Sequence, residues 1–194
     1  MKKSTLILSF LLSVLFVAAQ TDLKGLNVND KAPNFSAIDQ NGKKYNFKSQ
    51  LKKGAVVMVF YRGQWCPYCN KQLKQLEDSL SMILAKGASV VAITPEKPEN
   101  VAKTIAKTKA TYPVLFDDGL KIMKKYDVAF KVDDNTIERY KKFGVDFTEA
   151  NGINNGANLP VPAVYIVRDG KIIYKYFDVD YKKRASVVEI LKYL

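Results

Sequence analysis

Cys66 and Cys69, in the run Trp65-Cys66-Pro67-Tyr68-Cys69, are the residues whose type and spacing carry chemistry. Pro67 suits a first helical position, where its missing N–H has no partner to lose. That makes Cys66 the expected helix cap, with Cys69 one turn later. Free N–H groups and the positive end of the helix dipole stabilise a thiolate there, and such sites bring a thiol pKa from ~8.5 into the range ~3.5 to 7.5. A drop of roughly two units raises the thiolate fraction at neutral pH ~25-fold and costs ~8-fold in nucleophilicity, a net gain of only about threefold in attack. The larger benefit comes when Cys66 is the leaving group, since a low-pKa thiol departs faster. The competing readings are an inert staple and half of an intermolecular zinc site. A bridge closing so small a loop stabilises by roughly 2 kcal/mol, against ~4.7 for a 100-residue loop, so disulfide exchange is the better use of the pair.

What the chain lacks narrows the alternatives. Its 194 residues contain no histidine, which excludes Ser-His-Asp triads, Cys-His nucleophile pairs and histidine-ligated metals. Two cysteines cannot complete a four-ligand zinc site within one chain. The expected site therefore takes no cofactor and no metal. The formal charge of +12 invites nucleic acid or an anionic membrane surface. The lysines are nevertheless dispersed, as at Lys71, Lys74, Lys103, Lys107, Lys124 and Lys125, with only short runs such as Lys182-Lys183-Arg184, so the reading is a solvated surface. Residues 1–19 have the form of a signal peptide: Lys2 and Lys3, an apolar run from Leu6 to Ala18, and a Val17-Ala18-Ala19 end. That run of 13 residues falls short of the ~20 a spanning helix needs, so export with cleavage is expected rather than stable membrane insertion. An exported protein in the periplasm or outside the cell does not meet nucleic acid. Residues 20–194 are expected to form one domain.

The elements that must hold the cysteines follow from patterning. Ala55 to Tyr61 is a continuous, β-branched-rich apolar run, the mark of a strand buried on both faces. From Pro67, Cys69, Leu73, Leu76, Leu80 and Leu84 fall on one helical face, and Gly87 offers a left-handed stop, which predicts a helix over Pro67–Lys86. Ala88 to Thr94 reads as the next buried strand, completing a right-handed βαβ unit. Phe35 to Phe47 carries Asn41-Gly42 and predicts a tight-turned hairpin. A helix within Pro95–Lys109, a strand at Tyr112–Phe116 and a short helix at Leu120–Tyr126 come next. The polar stretch Lys131–Leu159 is an elaborated connection placed to cover the site. The end is a hairpin, Val161–Val167 and Lys171–Phe177 about Asp169-Gly170, and an amphipathic terminal helix.

Five further residues are candidate binding residues. Trp65 and Tyr68 flank the thiols, as an apolar rim for a partner chain or, for Trp65, as packing against the domain. Arg62 either favours an anionic sulfur and orients a peroxide or carboxylate, or is simply solvated. Val161-Pro162 precedes an apolar strand; X-Pro bonds are mostly trans, and a cis proline here would expose an edge for backbone pairing with substrate.

Phe60-Tyr61-Arg62-Gly63-Gln64-Trp65-Cys66-Pro67-Tyr68-Cys69, with Ala32-Pro33-Asn34-Phe35 before and Pro160-Val161-Pro162-Ala163 after, resembles the peroxiredoxin-like branch of the alkyl hydroperoxide reductase C and thiol-specific antioxidant family. The resemblance covers nearly all of the chain beyond the signal. It implies an α/β thioredoxin-like fold with a central mixed sheet flanked by helices. It also implies Cys66 as attacking thiol, Cys69 as resolving thiol and Pro162 as a cis proline facing them. Two departures bear on the reaction. Typical peroxiredoxins carry Pro-x-x-x-Thr/Ser-x-x-Cys, and here Val59 and Gly63 hold the proline and hydroxyl positions. Typical thioredoxins place an acid where Phe60 stands, so another group or water must move the proton. The expected activity is thiol-disulfide exchange with a redox partner protein or small thiol. The alternative is a thiol peroxidase passing through a Cys66 sulfenic acid, with a peroxide as substrate. A third reading is a basic binding module whose thiols are incidental.

Overall fold

The apolar run at 55–61 becomes the middle of a sheet. The structure is a computed structural model and describes residues 23–194; the expected signal peptide lies outside the described residues. From the amino end, β1 (Ser36–Ile38) and β2 (Lys44–Asn46) pair antiparallel as the expected hairpin. Its turn is wider than Asn41-Gly42 alone predicts, because Asp39 closes the loop by donating its N–H to the Lys43 carbonyl. Asn46 then caps α1 (Phe47–Leu51). β3 (Ala55–Phe60) leads into α2 (Pro67–Asp78), α3 (Leu80–Ala85) and β4 (Ala88–Thr94). Next come α4 (Pro98–Thr108), β5 (Val114–Phe116), α5 (Lys121–Lys125) and β6 (Ala129–Lys131). The polar connection folds into α6 (Asp134–Lys142) and α7 (Phe147–Asn151), and the chain closes with β7 (Asn158–Pro160), β8 (Ala163–Arg168), β9 (Lys171–Phe177) and α8 (Val187–Lys192).

The main sheet has the order β5-β4-β3-β8-β9, with β3, β4 and β5 parallel and β8 and β9 antiparallel to their neighbours. Successive β3 residues serve opposite faces. Val57 and Val59 pack with Leu73, Leu76 and Ile190 on one side, while Val56, Met58 and Phe60 pack with Phe47, Tyr126 and Tyr165 on the other. Both faces are therefore closed, which is why the run reads as unbroken apolar sequence. The mixed sheet flanked by helices is the expected α/β architecture.

The predicted helix Pro67–Lys86 is two helices. Ser79 leaves helical geometry at φ −109° and ψ 9°, and its N–H reaches the Gln75 and Glu77 carbonyls. Aspartate and serine at 78 and 79 are weak helix interior residues that favour such breaks. The break resets the phase, so Ile83 is buried while Leu84, assigned by the spacing to the inner face, is 54% exposed.

Candidate active site

The parallel βαβ unit delivers the Cys66-Pro67-Tyr68-Cys69 segment at the carboxyl end of β3, between a fully buried strand and a helix start. Open α/β sheets place their sites there, because every helix amino terminus on that side points its free N–H groups outward. Cys66 is the cap of α2, with extended backbone at φ −90° and ψ 108°, and Pro67 follows in the first turn as expected. The Cys69 N–H donates to the Cys66 Sγ at 3.3 Å. Neither cysteine is bridged.

The segment joining β9 to α8 lies over this pair. Arg184 donates to the Cys69 Sγ at 3.3 Å and lies 3.9 Å from the Cys66 Sγ, so one guanidinium serves both sulfurs. Cys66 and Cys69 are 1% and 0% exposed, so this conformation is closed to a protein disulfide. The cover is tied down by few groups. Tyr181 sits edge-on to Tyr68 at 5.9 Å, the Arg62 guanidinium carbon lies 4.2 Å from the Tyr181 ring centre, and Gln72 donates to the Ala185 carbonyl at 3.4 Å.

Charge distribution differs from the sequence expectation. Cys66 was to hold the lowered pKa; in the closed site its thiol is pushed up, first because it shares its hydrogen with Cys69 and then by burial. Burial alone pushes Cys69 up as well, but the hydrogen bond from Cys66 and the charge of Arg184 outweigh it and hold Cys69 down at about 6. The pair therefore carries one negative charge, resting on Cys69 against Arg184. Transfer of the shared proton moves that charge to Cys66, where the Cys69 N–H receives it.

Arg62 is not solvated. It is buried, donates to the Tyr140 hydroxyl at 2.7 Å, and packs its guanidinium carbon 4.7 Å from the Trp65 ring centre. Trp65 packs inward, 5.3 Å from Tyr140 and 5.4 Å from Phe147, so the elaborated connection does flank the site through α6 and α7. Tyr68 is 38% exposed. Val161 and Pro162 are corrected in two respects. Among the described residues no peptide bond is cis, so the Val161–Pro162 bond is trans. The Val161 N–H already donates to the Val128 carbonyl at 2.8 Å, which continues the pairing of β6 with β7 and leaves this donor unavailable to substrate. Both residues still line a cavity of about 200 Å³ with Arg62, Tyr140 and Tyr181.

Sequence reading missed Arg184, Tyr181 and Glu96. Arg184 was absorbed into a lysine run. Glu96 follows the end of β4, the strand beside β3, and a carboxylate on the heels of a buried strand is a usable signal. It is buried, accepts the Gln64 N–H at 2.6 Å, and is pushed up to about 8, mainly by desolvation. The Gly63 position has no room for the peroxiredoxin hydroxyl: a Cβ there would stand 2.5 Å from the Trp65 Nε1 and 2.7 Å from the Glu96 Oε1. Among the described residues no cluster of three or more His, Cys, Asp or Glu side chains is placed to hold a metal ion. None of their helices is long and apolar enough to cross a membrane.

Comparison with known proteins places this geometry. Residues 28–175 match the AhpC/TSA family. The chain is 30% identical over 108 residues to the thiol-disulfide oxidoreductase ResA of Bacillus cereus, covering 55% of this chain and 61% of ResA. It is 32% identical over 103 residues to the chloroplastic peroxiredoxin Q of Populus jackii, covering 53% of this chain and 48% of that protein. It thus spans about half to three fifths of these relatives' lengths. The crystal structure of peroxidoxin BcpB from Mycobacterium tuberculosis superposes with a TM-score of 0.62 at 20% identity, covering 77% of this chain and 84% of that one. These likenesses establish the thioredoxin-like fold.

Proposed function

Since the chain belongs to the AhpC/TSA family, we propose that it is a thiol-disulfide oxidoreductase in which Cys66 attacks and Cys69 resolves. The observation that carries this reading is the placing of both sulfurs under one guanidinium at the first turn of α2. When Tyr181 and Arg184 swing aside, the Cys66 thiolate attacks one sulfur of a substrate disulfide, forming a mixed disulfide and releasing the other sulfur as a thiolate. Cys69 then attacks the Cys66 Sγ, which breaks the mixed disulfide, forms Cys66–Cys69, and releases the second substrate sulfur. The oxidised pair is restored by two thiols of a partner protein or small thiol. Each step exchanges one sulfur–sulfur bond and needs no histidine or metal. The aromatic cavity beside the cover, lined by Arg62, Tyr181, Val161 and Pro162, is where the substrate chain rests. The Lys2-Lys3 start and the apolar run after it support an exported location.

Insulin disulfide reduction, driven by a small thiol, tests this directly. Wild type accelerates it and Cys66→Ser returns the rate to that of the thiol alone; equal rates overturn the reading. Peroxidase activity is the second reading, favoured by the likeness to peroxiredoxin Q. Gly63 and Val59 in place of the hydroxyl and proline weigh against it. Stopped-flow mixing of reduced protein with hydrogen peroxide and an alkyl hydroperoxide separates the two, with oxidation no faster than that of a free thiol expected.

A further inference from the structure

Among the buried polar atoms near the dithiol that have no partner are the Oε1 of Glu96 and the Nε1 of Trp65. They face the same gap. The point where a Cβ on Gly63 would stand lies 2.7 Å from the first and 2.5 Å from the second. A donor and an acceptor left unpaired across so small a gap are within a hydrogen bond, or one bridging water, of each other after a modest side-chain shift. The other Glu96 oxygen has its N–H donor, from Gln64. Buried unpaired polar groups are costly, and a carboxylate more so than a carboxylic acid.

The charges around Glu96 change with the redox state of the pair. Cys69 on α2 opposes its ionisation when it carries the thiolate, while Lys103 and Lys107 on α4 favour it. Tyr61, just after β3, feels the charges of both Glu96 and Cys69 and keeps its proton. Arg62 lies across the Trp65 ring. Forming the Cys66–Cys69 disulfide removes the charge from Cys69 and leaves both lysines in place.

We propose that Glu96 is a redox-linked proton store, protonated when the dithiol is reduced and ionised, with the Trp65 indole N–H as its hydrogen-bond donor, when the disulfide forms. The inference rests on the exchange reading and deepens it. When two thiols of a donor reduce the disulfide at neutral pH, a donor disulfide forms and the Cys66–Cys69 bond breaks. Of the two thiol protons, one goes to the Cys66 sulfur and one to the Glu96 carboxylate, leaving the Cys69 thiolate. Charge and protons balance with no proton released to solvent. Without the store, one of the two is released. Glu96 acts through Cys69 and is a positioning residue.

The test measures proton release at pH 7 in weak buffer with an indicator dye, as oxidised protein is reduced by dithiothreitol. Wild type is expected to release well under half a proton per disulfide, and Glu96→Gln close to one. Trp65→Phe, which removes the donor and keeps the ring, also moves toward one. Trp65 is the single tryptophan of the chain, so its fluorescence reports the same event. The reduced wild type shows a transition between pH 7 and 9 that moves to lower pH on oxidation, and Glu96→Gln abolishes it. Equal release by wild type and Glu96→Gln, with both forming the disulfide, overturns the store alone. A protein in which Cys66 and Cys69 form no reducible disulfide sinks both this inference and the exchange reading.

Discussion

The dithiol lies between two regions built in opposite ways. Beneath it, β3 and α2 are anchored by interchangeable apolar contacts: Ala55, Val57 and Val59 on one face of the fully buried strand meet Leu73 and Leu76, both 0% exposed, and removing any one leaves the others. Above it, the segment from 178 to 186 is held by a handful of individual contacts, chiefly Tyr181 on Tyr68 and Arg62, Arg184 on the sulfurs, and the Gln72 bond to Ala185. The difference teaches that geometry and access are controlled separately. The lower half fixes where the sulfurs stand, and under the proposed exchange the upper half must move before they are reached.

The largest expected effect is on chemistry. Cys66→Ser leaves fold and cover intact and abolishes insulin reduction, while Cys69→Ser stalls turnover at the mixed disulfide. Next comes the lower half. Leu73→Ala opens a cavity against β3 and costs about 2 to 5 kcal/mol of stability in urea unfolding; a loss near zero would show that this region is not the rigid one. The upper half responds with rate instead. Tyr181→Ala removes an aromatic pair and a cation–π contact, together worth about 1 to 3 kcal/mol, so alkylation of the reduced protein by iodoacetamide rises about tenfold while stability falls by no more than those contacts contribute.

Arg184→Gln sharpens the contrast through pH. Cys69 in the folded, reduced protein titrates at about 6, below the value of 9.0 it takes when unpaired. Its contribution to stability is therefore present in full above pH 9 and is lost as pH falls through 6. Unfolding of the reduced protein is expected to show that dependence, and Arg184→Gln to flatten it, whereas the disulfide form lacks it. The smallest effect is expected on the solvent face of α2. The exposed Lys74–Asp78 pair at 2.8 Å contributes under about 0.5 kcal/mol, so Lys74→Ala leaves stability and exchange unchanged.

The legible parts of the sequence were those specified by local repetition. β3 and β4 follow from their apolar runs, β9 from the Asp169-Gly170 hairpin, and the Cys66 cap from Pro67. The family resemblance holds in the match over residues 28–175, while the trans Val161–Pro162 bond departs from its expectation. What failed was set by local backbone geometry or by tertiary contact. Ser79 breaks a helix whose apolar spacing runs on through it, since spacing does not register backbone geometry. Arg184 stands 118 residues from Cys66 and inside a lysine run, so no local pattern distinguishes it from its solvated neighbours. The lowered pKa was expected at Cys66 from the helix end alone; the arginine that moves the charge to Cys69 enters only through the fold.

The most direct test of Cys66 as the attacking sulfur is to trap the mixed disulfide. Reduced Cys69→Ser and Cys66→Ser variants are mixed with a peptide disulfide, quenched with acid, and mapped by mass spectrometry. The account predicts an adduct on Cys66 in the first variant, little or none on Cys69 in the second, and an internal disulfide in wild type. A faster or more complete adduct on Cys69 would contradict it, showing that the sulfur carrying the charge in the closed site is also the one that attacks.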